Sequence, residues 1–153
     1  MAGRLSGWLL GVALAAASAA ALAYEPQTNY MLQCMGCHTP DGSGEPGRVP
    51  NIKETLAPFA LNAAGRRFLI QVPGASQSTL TDSELAALLN WMVLNLSTTR
   101  PAHFTRFTEA EVASFRRTPL VDVQGTRRQL AQSLKSDPRI NGTGRPQASG
   151  VSP

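Results

Sequence analysis

Both cysteines of this 153-residue chain lie in one short segment, Cys34-Met35-Gly36-Cys37-His38. A chain of this length is expected to form one domain, and two cysteines cannot build a disulfide-rich scaffold. Because the two thiols lie so close together in sequence, a disulfide that staples distant parts of the chain is also disfavoured. We therefore interpret these cysteines as chemically functional groups.

The spacing of these cysteines and the adjacent histidine is the signature of covalent haem attachment. Two intervening residues let both sulfurs face one way across a helical turn, where each can add to a haem vinyl group. His38 then lies beneath the iron, which neutral imidazole binds well. A thioredoxin-like pair would need a βαβ pattern, a zinc site would need further ligands, and a disulfide would not need the histidine. The motif predicts one haem c, bound through Cys34 and Cys37 and ligated by His38.

The first 23 residues are typical of an export signal. Arg4 supplies a positive charge, residues 8–17 an apolar segment, and Ala21-Leu22-Ala23 the small-x-small pattern that a signal peptidase cleaves. The alternative is an uncleaved membrane anchor, but the apolar stretch is shorter than the roughly 20 residues that a bilayer requires. We predict a periplasmic or otherwise exported protein that begins at Tyr24, with membrane attachment only if the signal is retained.

Beyond the signal, helical patterns alternate with loops rich in Gly and Pro. The strongest pattern follows the capping box Thr81-Asp82-Ser83-Glu84 and predicts a helix from Asp82 to Leu96. Weaker patterns predict further helices over 29–35, over 62–72, after a second capping box at 108–111, and over 122–135. No segment alternates as a strand would, so the predicted class is all-α, a small helical domain around one haem.

Charge divides the chain near Ser97. Residues 24–97 hold four Lys/Arg against six Asp/Glu, whereas residues 98–153 hold nine against four. We predict a haem domain over 24–97, a basic helical extension over 98–135, and a disordered tail over 136–153 that is rich in Ser, Gly and Pro.

The basic residues of the chain include three arginine pairs. We interpret each pair as a solvated face, with contact to an acidic partner or to haem propionates as the alternative. Export removes nucleic acid as a partner. The pairs are Arg66/Arg67, Arg116/Arg117 and Arg127/Arg128.

From about Asn29 to Leu96 the chain resembles the class I c-type cytochromes. The CMGCH motif, the loop DGSGEPGRVPN and the helix LAALLNWMVLNL are similar to that family in order and spacing. The resemblance implies that the Pro50 carbonyl accepts a hydrogen bond from the second nitrogen of His38, which would fix the ring plane. It also implies that Trp91 crosses the amino-terminal helix.

The chain departs from this family where the second iron ligand is expected. Family members carry Met-Pro in the loop before the last helix, but this chain has Val72-Pro73, and valine cannot bind iron. Met92 and His103 remain as candidate ligands, with an open iron as the third possibility. Met92 lies on the apolar stripe of the strongest helix, where a methionine is more often simply core. His103 lies in a turn before a capped helix, where a histidine is often just solvent-exposed. Met92 is the preferred assignment.

The predicted function is single-electron transfer between redox proteins, such as an exported dehydrogenase or a respiratory complex, without catalysis by the chain itself. One alternative is an open-iron haem protein that binds a small ligand, as a sensor or minor peroxidase. Another is a haem-carrying subunit whose basic extension docks to a larger dehydrogenase.

Overall fold

The computed structural model describes residues 24–118 and 120–136. Within these residues the chain is all-α, as predicted, with eight helices and no β-strand. No helix in this part of the chain is both long and apolar enough to cross a bilayer. The predicted signal at 1–23 and the predicted tail after Ser136 lie outside the described residues. The helices are α1 (Pro26–Gln33), α2 (Met35–His38), α3 (Leu56–Ala60), α4 (Ala63–Gln71), α5 (Pro73–Ser76), α6 (Asp82–Asn95), α7 (Glu109–Arg116) and α8 (Val123–Lys135).

The CMGCH motif lies at the junction of two short helices. Helix α1 begins three residues earlier than predicted, because Pro26 has the backbone angle that suits a first helical position. It ends at Gln33, and Cys34 (φ −126°, ψ −38°) separates it from α2. The buried Tyr30 of α1 donates a hydrogen bond from its hydroxyl to the Thr39 carbonyl at 2.7 Å, which ties α1 to the end of the motif.

Helix α6 confirms the strongest sequence prediction. Thr81 Oγ1 accepts a hydrogen bond from the Glu84 N–H at 3.2 Å, while Glu84 Oε2 accepts one from the Thr81 N–H at 2.8 Å. This reciprocal capping box satisfies two backbone donors at the start of the helix. The Trp91 ring contacts Tyr30 of α1, with centroids 5.6 Å apart, so Trp91 meets the amino-terminal helix as expected.

Helices α3 and α5 each contain a proline, at the third and at the first position. Pro58 lies inside α3, but at its third position, where the missing N–H would have no partner within the helix in any case. Helix α4 ends at Gln71, one residue before the predicted limit of 72, and Pro73 starts the single turn α5. The region from Ile52 to Leu61, without a clear pattern in the sequence, therefore contains a helix.

The basic extension packs onto the preceding part of the chain through buried polar side chains. Asn90, on α6, donates to the Phe107 carbonyl at 3.0 Å and accepts from the Phe107 N–H at 2.7 Å. Gln71, at the end of α4, donates to the Thr118 carbonyl at 3.1 Å. Both side chains are buried, and these bonds supply their polar atoms with partners in the interior.

Arg66 links the preceding part of the chain to the extension. Its guanidinium holds the Glu111 carboxylate of α7 through two hydrogen bonds, of 2.7 and 2.5 Å, and also donates to the Thr105 carbonyl at 2.7 Å. It lies 3.9 Å from the centroid of the Phe107 ring. The interpretation of Arg66 as part of a solvated face is wrong, because its side chain is only 13% exposed.

The same ion pair explains why the second predicted capping box forms only in part. Thr108 Oγ1 accepts from the Glu111 N–H at 3.2 Å, as an N-cap should. The Glu111 carboxylate does not accept a hydrogen bond from the Thr108 N–H, because it is bound to Arg66 instead.

Helix α8 closes the described part of the chain against α3 and α4. Leu130 and Leu134 are buried, as the sequence pattern indicates. The Asp122 carboxylate caps the helix by accepting from the Gly125 N–H at 2.7 Å, and the absence of a side chain at Gly125 leaves room for that carboxylate. The glycine that weakens the helical pattern therefore serves the cap.

Replacing Glu111 by Gln should lower the free energy of unfolding by about 2–3 kcal/mol, because the mostly buried Arg66 guanidinium loses its charged partner. Chemical denaturation would measure this. The matched control is Glu109→Gln, an exposed carboxylate in the same first turn of α7, for which we expect a loss below about 1 kcal/mol. Equal losses in the two variants would contradict a special role for the Arg66 pair.

Candidate functional site

A largely apolar cavity of about 360 Å³ lies between the CMGCH motif and helices α3, α4, α6 and α8. This size and lining are typical of a site for a small organic molecule or a cofactor. Its walls are built mainly of core side chains, including Ile52, Leu56, Phe59, Phe68, Leu85 and Leu88.

The three chemically distinctive side chains of the motif line this cavity together. Cys34 is partly buried and Cys37 is exposed, and both are free thiols. The N–H groups of Cys37 and His38 both donate to the Cys34 carbonyl, at 3.2 and 3.0 Å, so one tight turn holds all three residues. Burial, with a smaller contribution from Cys37, raises the pKa of Cys34 to about 11, so that Cys34 is a neutral thiol at physiological pH.

His38 presents an imidazole in the form that binds metals. Burial lowers its pKa, the backbone carbonyl of Pro50 opposes this effect, and the charge of Arg127 lowers the pKa further. The contact with Pro50 is not a hydrogen bond of standard geometry, since Nδ1 is buried without a hydrogen-bond partner among the described residues. The hydrogen bond that the resemblance implies is therefore not formed with standard geometry, and the Pro50 carbonyl acts on the ring only by opposing the lowering of the His38 pKa.

The backbone of the loop after the motif lies very close to the backbone of Pro50. Gly44 has φ +68°, and its N–H donates to the His38 carbonyl at 3.2 Å. A Cβ atom on Gly44 would lie 2.5 Å from the Val49 carbonyl oxygen and 2.6 Å from that of Pro50. Glycine is therefore required twice here, for the backbone angle and for the close approach that sets the position of the Pro50 carbonyl.

The structure brings Met92 to the cavity and leaves His103 outside it. Met92 is 8% exposed and lines the cavity, as does Val72, which stands where the resemblance to class I c-type cytochromes leads one to expect methionine. His103 is exposed and lines a different, more open depression beside Leu61 and Arg66. Of the two candidate ligands, only Met92 shares a cavity with His38.

Arg116 holds the segment that carries part of the cavity wall, a role that the sequence did not reveal. Its guanidinium donates to the carbonyls of Ser76, Ser78 and Leu80, at 3.1, 2.7 and 2.6 Å, and to Asp82 Oδ1 at 2.9 Å. Ser78 lines the cavity, and the Arg116 side chain is only 11% exposed. Like Arg66, Arg116 is not part of a solvated face.

Helix α8 also contributes to the cavity. Val123, Gln124 and Arg127 line it, although the sequence assigned them to an extension outside the haem domain. The sequence did contain a signal for this, because Val123, Arg127, Leu130 and Leu134 follow one another at helical spacing on a single face. An arginine on that apolar face was the indication that α8 faces a site.

Comparisons with protein-family models, with curated proteins and with solved structures find no match for this chain. In the part of the chain that the structure describes, no group of three or more His, Cys, Asp and Glu side chains is arranged to hold a metal ion. The cavity and the residues that line it are therefore the basis for the function proposed below.

Gly44→Ala should destabilise the protein more than Gly47→Ala does. Both glycines have positive φ angles, +68° and +78°, but a Cβ on Gly47 would meet no atom within 4 Å. Gly47→Ala therefore measures the backbone cost alone, roughly 1 kcal/mol, and Gly44→Ala adds the clash with the Pro50 carbonyl. Denaturation midpoints would give the difference, and equal effects would show that the close approach does not matter.

Proposed function

We propose that this chain is an exported monohaem c-type cytochrome that carries single electrons between redox proteins, such as an exported dehydrogenase and a respiratory complex. The observation that supports this proposal most directly is that Cys34, Cys37 and His38 line one apolar cavity together. Two free thiols and a neutral imidazole on one turn suit covalent attachment of haem c. Each thiol would add across a vinyl group, forming a carbon–sulfur bond and passing its hydrogen to the neighbouring carbon.

The residues around the cavity suit this role. His38 would bind the iron, with the Pro50 carbonyl near its ring to set the orientation. Met92 would supply a thioether as the second ligand. When bound, the haem supplies an iron that changes valence by one electron. The apolar walls exclude water, and the anchored extension keeps them in place, so little rearrangement need accompany that change.

The exposure of the motif would let electrons reach the cofactor from the protein surface. Cys37 is exposed although it lines the cavity, so the site reaches the protein surface at the point of attachment. A redox partner that docks there would approach the attached edge of the cofactor without entering the cavity. Electron transfer requires no substrate pocket beyond this.

A second candidate function is the binding of a small ligand at an open iron. Val72 favours it, because this cavity-lining residue has no atom that can bind iron where the family carries methionine. A reduced protein that responds readily to carbon monoxide would support this reading. An unresponsive low-spin spectrum would support the electron carrier.

The mature exported protein should have the mass of the chain from Tyr24 plus one haem, and acid extraction should not remove that haem. Mass spectrometry after extraction into organic solvent measures this. The double variant Cys34→Ala/Cys37→Ala, exported in the same way, should show the bare mass. Recovery of the bare mass from the unmutated protein, with haem in the organic phase, would overturn covalent attachment and with it the proposed function.

Met92→Leu should change the ligation of the iron but not the fold of the protein. The substitution keeps the buried volume and removes the sulfur, so we expect a loss of stability below about 1.5 kcal/mol and little change in helix content. The near-infrared sulfur-to-iron charge-transfer band of the oxidised protein should vanish, and the potential should fall or the iron become accessible.

His103→Ala is the control for this substitution and should leave the spectrum unchanged. Conversion to a high-spin spectrum by His103→Ala would instead establish bis-histidine ligation and refute the assignment of Met92. If neither substitution changes the spectrum of the iron, the result would favour the ligand-binding function.

A further inference from the structure

Arg127 is the one permanently charged side chain among the described residues that line the cavity. No aspartate or glutamate lines it, and the remaining walls are apolar or neutral. Arg127 lies on the same face of α8 as the buried Leu130 and Leu134, so the helix directs it inward. The chain therefore places a guanidinium at an otherwise uncharged site.

The charge of Arg127 has little compensation within the described residues. No carboxylate there forms an ion pair with it, and its hydrogen bond to the Asn51 carbonyl is long, at 3.5 Å. Arg66 and Arg116, by contrast, each bind a carboxylate and two or more carbonyls at shorter distances. A partly buried guanidinium without such partners is costly, and burial lowers the pKa of Arg127.

The guanidinium also shares the cavity with His38, the proposed iron ligand. It donates to the carbonyl of Asn51, which directly follows the cavity-lining Pro50 in the chain. Helix α8 thus brings a positive charge to the His38 side of the cavity. Any anionic group placed there would meet both the charge and the planar donor geometry of Arg127.

We infer that Arg127 binds a carboxylate of the molecule that occupies the cavity. The chemical class that fits is a large apolar body with an anionic edge. Under the proposed function, on which this inference rests, the partner is a propionate of haem c. An arginine can hold a carboxylate through two parallel hydrogen bonds, which would fix the orientation of the bound molecule in its plane. Helix α8 is then part of the cofactor site.

This arrangement has a consequence for the reduction potential. A positive charge near the iron favours the reduced state, because reduction removes one positive charge from the site. Loss of Arg127 would remove that charge and leave the propionate unpaired in a partly buried place. Both effects favour the oxidised state, so the potential should fall.

The test compares Arg127→Leu with Arg128→Leu in the holoprotein. The two variants lose the same charge from neighbouring positions of α8, but Arg128 is exposed and lies outside the cavity. Spectroelectrochemical titration gives the potential, and the resonance Raman propionate bending mode reports hydrogen bonding to the carboxylate. We expect Arg127→Leu to lower the potential and shift the mode, and Arg128→Leu to do neither.

Arg127→Lys keeps the test decisive if the leucine variant fails to fold. It keeps the charge but not the planar pair of donors, so the potential should stay closer to that of the unmutated protein while the propionate mode still shifts. An unshifted mode in both Arg127 variants, or equal falls in potential for Arg127→Leu and Arg128→Leu, would overturn the inference. Failure of the proposed function is seen separately, because the unmutated protein would then carry no covalent haem.

Discussion

The ion pair between Arg66 and Glu111 joins the two parts of the chain, and the candidate site depends on that union. Arg66 belongs to α4, which forms one wall of the cavity, and Glu111 belongs to α7 in the basic extension. Once α7 is held, Arg116 at its end reaches the segment from Ser76 to Asp82. The extension therefore does more than add charge to the molecule, because it holds the framework around the cavity.

The sequence predicted the parts of this molecule that depend on local pattern. The CMGCH turn, the capping box of α6 and its apolar stripe each combine residues a few positions apart, and the structure contains all three. The sequence could not predict which distant backbone groups Asn90 would bind, because a polar residue within an apolar helix does not identify its partner. Glu111 shows the same limit, since its carboxylate could cap α7 or pair with Arg66, and tertiary contacts decide between them.

The candidate iron ligands illustrate the difference between residue type and position. Met92 and His103 are both chemically suited to iron, and spacing alone left both open. The position of α6 separates them, because it carries Met92 into the same cavity as His38 while His103 lies in an exposed turn. For Arg127 the sequence left contact with haem propionates open but favoured solvent contact, since its pairing with Arg128 did not reveal its place on the inward face of α8.

The contribution of α8 to the cavity also bears on the order of assembly. In a chain that emerges amino end first, the residues of the motif at 34–38 are available well before the residues of α8 at 123–135. A cofactor joined to the two thiols at that stage meets an open site and need not pass through a finished wall. Under the proposed function, α8 would then fold over the attached cofactor, and the same step would close the cavity around it.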